Sequence, residues 1–310
     1  MKVQLLQTSR NTQVIRTLTF IIIIIVISLS GCKKENSNGS AQSQQEDFAN
    51  NASQSDAEAE VVFDDVFDNV MGVSPEVAVG GTGVFGRVNQ TSGTGENRLT
   101  GADTLSCYIV TITQLSSANR FPLNVVIDFG TGCTGKDGRT RKGKIIIQYT
   151  GRLLVPGNSS TTTFDGYYVN DIKVEGTHKI TNTSTATVKS FTIAVSGARL
   201  SQPDGSYLEW NSEKTISQVD GLLTPIPLDD VFNLTGHASG LVVKDNKLFQ
   251  WNTAISSPLV KRFACHWIVK GTVNIQKGNA PVAVLDYGNG NCDNLATFTV
   301  NGVVHEITLR

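Results

Sequence analysis

The sequence predicts a mainly β protein, a large curved antiparallel β meander with one short N-terminal helix packed on it. From about Val77 onward, short apolar or alternating runs are separated by Gly, Asn and Asp, which is typical of antiparallel strands and turns. Alternating residues followed by glycine recur, and glycine inside a strand often marks a bulge or bend. A hairpin bounded by cysteines occurs twice. We expect an open sheet, with a sandwich as the alternative.

The first 31 residues have the pattern of a secretory signal peptide. Lys2, Arg10 and Arg16 precede an apolar segment from Leu18 to Leu29, and the first sixteen residues carry no acid. About twelve apolar residues are fewer than the roughly twenty that a membrane span needs. An uncleaved N-terminal anchor helix is the alternative.

The run Leu29-Ser30-Gly31-Cys32 resembles the bacterial lipobox at all four positions. The resemblance implies cleavage before Cys32, a diacylglycerol on its thiol and a further acyl chain, such as palmitate, on its amine. Several acyl chains, at about 0.8 kcal/mol per buried methylene, hold a protein stably on a bilayer. We therefore expect the membrane to be a partner through the lipid on Cys32.

Export limits the chemistry that we expect. Removing residues 1–31 with their three basic side chains changes the formal net charge from −1 to −4. A mildly acidic surface gives no electrostatic case for nucleic-acid binding. Disulfides are allowed in the oxidising compartment outside the cytosol. We predict no cofactor, because nucleotide cofactors are not expected there.

The segment after the signal divides into a tether, a helix and a β domain. Residues 32–55 are rich in Asn, Ser, Gln and Gly, which predicts a lipidated flexible tether. Residues 56–72 predict an amphipathic helix, whose apolar stripe we expect to pack on its own domain. Residues 73–310 predict a single antiparallel β domain. The stripe consists of Val62, Val66, Val70, Phe63, Phe67 and Met71.

The location follows from resemblance. Lys33 occupies the position where an Asp retains well-studied lipoproteins at the inner membrane, so the resemblance implies the outer membrane. The tether does not begin with a strong acidic cluster like that of surface-export signals, and both the periplasmic and the surface-exposed face stay open. The chain as a whole resembles outer-membrane lipoproteins of Bacteroidota. That resemblance implies a location and no activity.

The cysteines follow a repeat that spans about 107–133 and 265–292. Each copy reads Cys, strand, turn, Pro, strand, Asp-aromatic-Gly-x-Gly and Cys. With Cys32 lipidated, four cysteines remain, and they allow three pairings. The repeat favours Cys107 with Cys133 and Cys265 with Cys292. Each bridge would contribute roughly 3 to 4 kcal/mol in the chain-entropy model.

No catalytic residue or firm metal site is predicted. Asp286, Asn289, Asn291 and Asp293 form an oxygen-rich segment, which is either a weak Ca²⁺ site or a tight turn. Asp128 occupies the place of Asp286 in the first repeat, and such a pair could serve a glycosidase. Nothing in the sequence places the two together.

The sequence favours a non-enzymatic lipoprotein of the cell envelope that binds a partner protein, a glycan or the envelope itself. An exported hydrolase acting on polysaccharide is the first alternative. An accessory subunit of an outer-membrane export or assembly complex is the second.

Overall fold

The computed structural model describes residues 37–85, 107–135, 138–222, 224 and 226–309. The chain divides into two units, Met1–Gln44 and Gln45–Arg310. The described part of the first unit is helical. The predicted signal peptide and Cys32 lie outside the described residues. Within the described ranges, no helix combines the length and apolarity needed to cross a bilayer.

Antiparallel strands form one open sheet, which confirms the predicted β meander. Each strand pairs with the next along the chain, except that the two-residue β3 pairs only with β4, so that β2 also lies beside β4. The edge strands of the described sheet are β1 and β14. The strands are β1 (Ile109–Gln114), β2 (Leu123–Asp128), β3 (Cys133–Thr134), β4 (Thr140–Tyr149), β5 (Ser159–Val169), β6 (Ile172–Asn182), β7 (Ser190–Ser201), β8 (Tyr207–Asp220), β9 (Val231–Lys244), β10 (Lys247–Arg262), β11 (Lys270–Lys277), β12 (Ala280–Asn289), β13 (Leu295–Val300) and β14 (Val303–Thr308).

The helix α1 (Ser37–Gly72) contributes residues from Phe48 onward to the core that it shares with the sheet. On β4, the hydroxyl of Tyr149 donates to the carbonyl of Val70 at 2.7 Å. On β10, the ring of Phe249 lies 6.3 Å from that of Phe48. The seven strands from β4 to β10 would span about 29 Å if flat, far more than the diameter of a helix, about 10 Å. The sheet therefore curves around α1.

The helix is longer than predicted, and the prediction of a flexible tether is wrong for residues 37–55. These residues belong to α1, which begins at Ser37 and not at residue 56. Phe48, Ala49 and Ala52 lie on one helical face and are buried in the core. Average composition conceals this short apolar face, because polar residues surround it. The predicted stripe between Val62 and Met71 is also buried, as expected.

The two rims of the sheet differ in their connections. One rim, here called the tight-turn rim, carries the two-residue turns Asn170-Asp171, Asp245-Asn246 and Asn301-Gly302, all with positive φ. Such pairs of residues close hairpins whose twist matches that of the strands. The opposite rim, the long-loop rim, carries the longer connections between β4 and β5, β6 and β7, β8 and β9, and β10 and β11. Asp165-Gly166 has the residue types of a hairpin turn but lies inside β5.

Both predicted disulfides are present and confirm the cysteine pairing. Cys107 is bonded to Cys133 and Cys265 to Cys292, with Cα–Cα distances of 5.3 and 5.8 Å. Each bridge closes the open end of one hairpin, β1–β2 or β11–β12. The strand order places the first bridge at the tight-turn rim and the second at the long-loop rim. The repeated hairpins thus point in opposite directions.

Strand glycines mark breaks in the pairing register, as predicted. The register between β6 and β7 shifts at Gly176, and the pairing of β11 with both neighbours shifts at Gly271. A Cβ atom on Gly271 would lie 2.4 Å from the carbonyl oxygen of Pro258. Gly271 has a φ of 109°, which side-chain-bearing residues rarely adopt. This bulge bends the sheet.

We expect Gly271→Ala to lower the free energy of unfolding by about 2 to 5 kcal/mol, from backbone strain and the clash with Pro258. Gly197→Ala is the control, because its φ is 59° and no atom lies within 4 Å of the new Cβ. That variant should lose only about 1 to 2 kcal/mol. Urea unfolding measures both, and equal losses would show that the close approach to Pro258 is unimportant.

Candidate functional site

Five carboxylates of α1 lie buried in the interior. They are Asp56, Glu60, Asp64, Asp65 and Asp68. Four of them are spaced four residues apart, so that they form one row along the helix. A buried charge is costly unless it is paired and hydrogen-bonded. The strands supply the partners, and we call the five carboxylates with their partners the buried ionic row.

Asp65 is held by two arginines that precede or begin β4. Arg141 donates from Nε to Oδ2 at 3.1 Å and from Nη2 to Oδ1 at 2.6 Å, so that the contact is bidentate. Arg139 Nη1 lies 3.1 Å from Oδ1. Burial acts to raise the pKa of Asp65, but the guanidinium groups of Arg141 and Arg139 outweigh it, and the pKa is about 2. Asp65 is therefore a carboxylate at neutral pH.

Asp64 and Asp68 share one lysine from β10. Lys261 is fully buried, its Nζ donates to Asp68 Oδ2 at 3.1 Å, and it lies 3.6 Å from Asp64 Oδ2. Burial raises the pKa of Asp64 to about 6 and that of Asp68 to about 7, against the opposing effect of Lys261. Two carboxylates facing one ammonium leave an excess negative charge, so this cluster takes up a proton near neutral pH.

Asp56 and Glu60, at the N-terminal end of the row, pair with residues of β8 and β10. Lys214 on β8 forms a buried salt bridge with Glu60. Asp56 Oδ1 accepts hydrogen bonds from the indole nitrogens of Trp210 and Trp251 at 3.0 and 3.2 Å. Burial raises the pKa of Asp56, although Lys214 and the two indoles oppose it. Both tryptophans are therefore core residues whose indole N–H groups hydrogen-bond a buried carboxylate, as is typical of buried tryptophan.

Two further polar side chains lie near this row. His178 on β6 is buried and stacks on Phe63, with ring centroids 6.2 Å apart. Burial, with a smaller effect of Lys214, lowers the pKa of His178 to about 3, so the imidazole is neutral at physiological pH. Burial raises the pKa of Tyr287 on β12 well above its ordinary value. Neither group is a proton donor or base of ordinary strength in this interior.

The row was missed by sequence reasoning, which assigned a packing role to the apolar stripe of the helix alone. A usable signal exists in the strands. Lys261 lies two residues from Leu259 and from Phe263, and so shares their inward face. Lys214 likewise precedes the buried Ile216 by two residues. Inward lysines on a predicted sheet indicate buried acids elsewhere in the chain.

A cleft of about 610 Å³ opens beside the middle of α1. Its walls come from α1, from the β5–β6 and β7–β8 hairpins at the tight-turn rim, and from the ends of β9 and β14. Gln202 Nε2 donates to Glu58 Oε1 at 2.6 Å across it, which joins the helix to the β7–β8 hairpin. The polar lining residues are Asn51, Gln54, Ser55, Glu58, Asn170, Gln202, Asp204, Ser206, Tyr207, Lys244, Glu306 and Thr308.

The oxygen-rich segment of the second repeat acts in turns. Asp286 Oδ1 accepts from the backbone N–H of Gly288 at 2.8 Å, and Asp293 Oδ1 accepts from that of Leu295 at 3.1 Å. Asn289 ends β12, and Asn291 follows it in the connection to β13. Within the described ranges, no group of three or more His, Cys, Asp or Glu side chains is placed to hold a metal ion.

Asp128 performs the same turn function in the first repeat, since its Oδ1 accepts from the N–H of Gly130 at 2.8 Å. The hydrogen bonds that the structure gives to Asp128 and Asp286 are thus local, which explains their equivalent positions in the two repeats. The glycine-rich run that begins at Gly81 follows the C-terminus of α1, where the Gly81 N–H donates to the Gly72 carbonyl.

No protein-family model, curated protein or solved structure matches this chain. The candidate site therefore rests on geometry alone. The buried ionic row fixes the helix in the sheet, and the cleft is the solvent-accessible site that this arrangement creates.

We expect Asp65→Asn to lower the free energy of unfolding by about 3 to 5 kcal/mol, because Arg139 and Arg141 would remain buried without a charged partner. Asp47→Asn removes the exposed pair with Lys247, whose atoms lie 3.2 Å apart, and should lose under about 1 kcal/mol. Chemical denaturation of the two variants measures both losses. Similar losses would contradict the role assigned to the buried ionic row.

We expect Asp68→Asn to reduce the pH dependence of stability. The folded-state pKa of Asp68 is raised, so its contribution is fully present below about pH 4 and is lost as pH rises through 7. As the pH rises from 5 to 8, the free energy of unfolding of Asp68→Asn should therefore increase relative to that of the wild type, by about 1 kcal/mol or more. His178 titrates in both proteins and cancels in the difference. If the melting temperatures of the two proteins changed with pH in parallel, the proposed proton uptake by Asp68 would be refuted.

Proposed function

We propose that this chain is an exported, lipid-anchored protein of the cell envelope, held on the outer membrane, whose role is binding or structural and not catalytic. The observation that carries the proposal is the pair of disulfides at opposite rims of the sheet. Such bonds form and persist in oxidising compartments and are rare in the cytosol. They agree with the export that the lipobox ending at Cys32 implies.

The path from the anchor into the domain supports a tethered binding module. Only residues 33–36 separate Cys32 from the first residue of α1. The same helix carries the buried ionic row and lines the cleft. A lipid on Cys32 would thus be joined to the β domain through the element on which the fold is built.

The charged groups of the interior favour binding over catalysis. The carboxylates of the buried ionic row face lysines, arginines or indoles of the strands. These ion pairs and hydrogen bonds hold α1 against the sheet. The cleft offers amides, hydroxyls and carboxylates to solvent, which suits recognition of a polar segment of another envelope molecule. We propose a protein partner, and a glycan is the competing ligand.

Cys32→Ser tests the anchoring. The wild type should label with radioactive palmitate and sediment with the outer membrane, whereas the variant should not label and should leave the membrane fraction, because one thiol carries the lipid anchor. Cys107→Ser is the control, since it removes a disulfide cysteine and should leave labelling intact. Unchanged labelling of Cys32→Ser would refute the proposal. Protease treatment of intact cells then assigns the exposed face.

A further inference from the structure

We propose that the free edge of β14 binds an extended, positively charged peptide segment of a partner protein, which adds to the sheet as a further strand inside the cleft. This inference names the partner class for the binding role proposed above and rests on it. It is carried by the backbone of β14, by the position of the cleft and by the charges around it.

The backbone groups of alternate β14 residues point away from the sheet. The N–H of Leu309 donates to the carbonyl of Asn294 on the β13 side at 2.8 Å. In an antiparallel pair, every second residue bonds its neighbour strand and the residues between them point outward. The N–H and C=O groups of Val304, Glu306 and Thr308 therefore face the open edge, and in the described sheet β14 pairs with β13 alone.

This open edge coincides with the cleft at one end. Glu306 and Thr308 line the cleft, together with the buried Ile307 and Leu309. These four residues span about 10 Å. Residues of α1 and of the β7–β8 hairpin, Gln54, Glu58 and Gln202 among them, also line it. A strand placed there would have main-chain partners along β14 and side-chain donors and acceptors around it.

The charge of the lining favours a cationic segment. Three carboxylates line the cleft, from Glu58, Asp204 and Glu306, against one ammonium, from Lys244. Asp204 is exposed, and the hydrogen bonds from Ser206 hold its pKa below the usual range, so that it stays ionised. Complementary charge across an interface steers encounter and selects partners. A peptide bearing Lys or Arg fits this cleft, whereas an acidic peptide does not.

The test uses the full chain in detergent micelles and three probes. The first is the acetylated and amidated tetrapeptide Lys-Val-Lys-Val, and the second is its Glu-Val-Glu-Val counterpart. The third is Lys-Val-Lys-Val with N-methyl groups on the residues that would bond β14. Binding is followed by amide chemical shifts of the labelled protein. We expect the first peptide to bind, with shifts at Glu306 and Thr308, and the other two to bind at least about fivefold more weakly.

Variants separate strand addition from simple charge attraction. Thr308→Pro removes an outward N–H in the cleft without removing a bond to β13. It should weaken the binding of Lys-Val-Lys-Val at least about fivefold. Val304→Pro places the same strain on the same edge outside the cleft lining, and should leave binding unchanged. Glu306→Lys should weaken the cationic peptide and strengthen the acidic one. Melting curves of each variant confirm that β14 remains folded.

Equal binding of the N-methylated peptide, or of Thr308→Pro and Val304→Pro, would overturn strand addition. Binding of a neutral oligosaccharide such as maltotriose at Glu58 and Gln202, without peptide binding, would overturn the peptide class and assign the cleft to a glycan. Absence of Lys-Val-Lys-Val binding would by itself overturn the inference. None of these outcomes alters palmitate labelling of Cys32, so failure of this inference is distinguishable from failure of the anchoring proposal.

Discussion

The rest of the structure depends on the burial of an acidic helix. The row from Asp56 to Asp68 is tolerable in the interior only because the strands bring cations and indole N–H groups to it. Arg141 on β4 and Lys261 on β10 reach the same helix from strands six steps apart. The sheet must therefore curve around the helix. This curvature brings the cations to the carboxylates and also allows the apolar side chains to pack.

Ionic partners set the position of the helix where the disulfides do not. Each bridge lies within one hairpin, so that it restrains the sheet locally and leaves α1 bound by packing and charge. A purely apolar helix could slide or rotate in a curved sheet with little change in contact. A bidentate pair such as Asp65 with Arg141 allows one register, because its geometry is directional. Breaking such a pair would leave a buried charge without a partner, which is costly.

The helix that carries the buried ionic row also lines the cleft. Asn51, Gln54 and Glu58 of α1 lie at the cleft, and acids of the same helix from Asp56 to Asp68 form the row. Glu306 and Thr308 of the edge strand β14 line the same cleft. An open meander of this kind retains an unpaired edge that a closed sheet would lose. The peptide binding proposed for β14 depends on this open edge.

The sequence by itself determined the β meander, the strand bulges and the cysteine pairing, because alternation, glycine placement and a hairpin repeat are local signals. It also indicated the apolar stripe around Phe63. Only the tertiary structure decided that α1 begins at Ser37 and that its acids are buried. The inward positions of Lys214 and Lys261 indicate that buried acids exist, but no local pattern records which acids the distant strands bring them to. The cleft, too, joins segments about 250 residues apart in the chain, Asn51 and Glu306 among them.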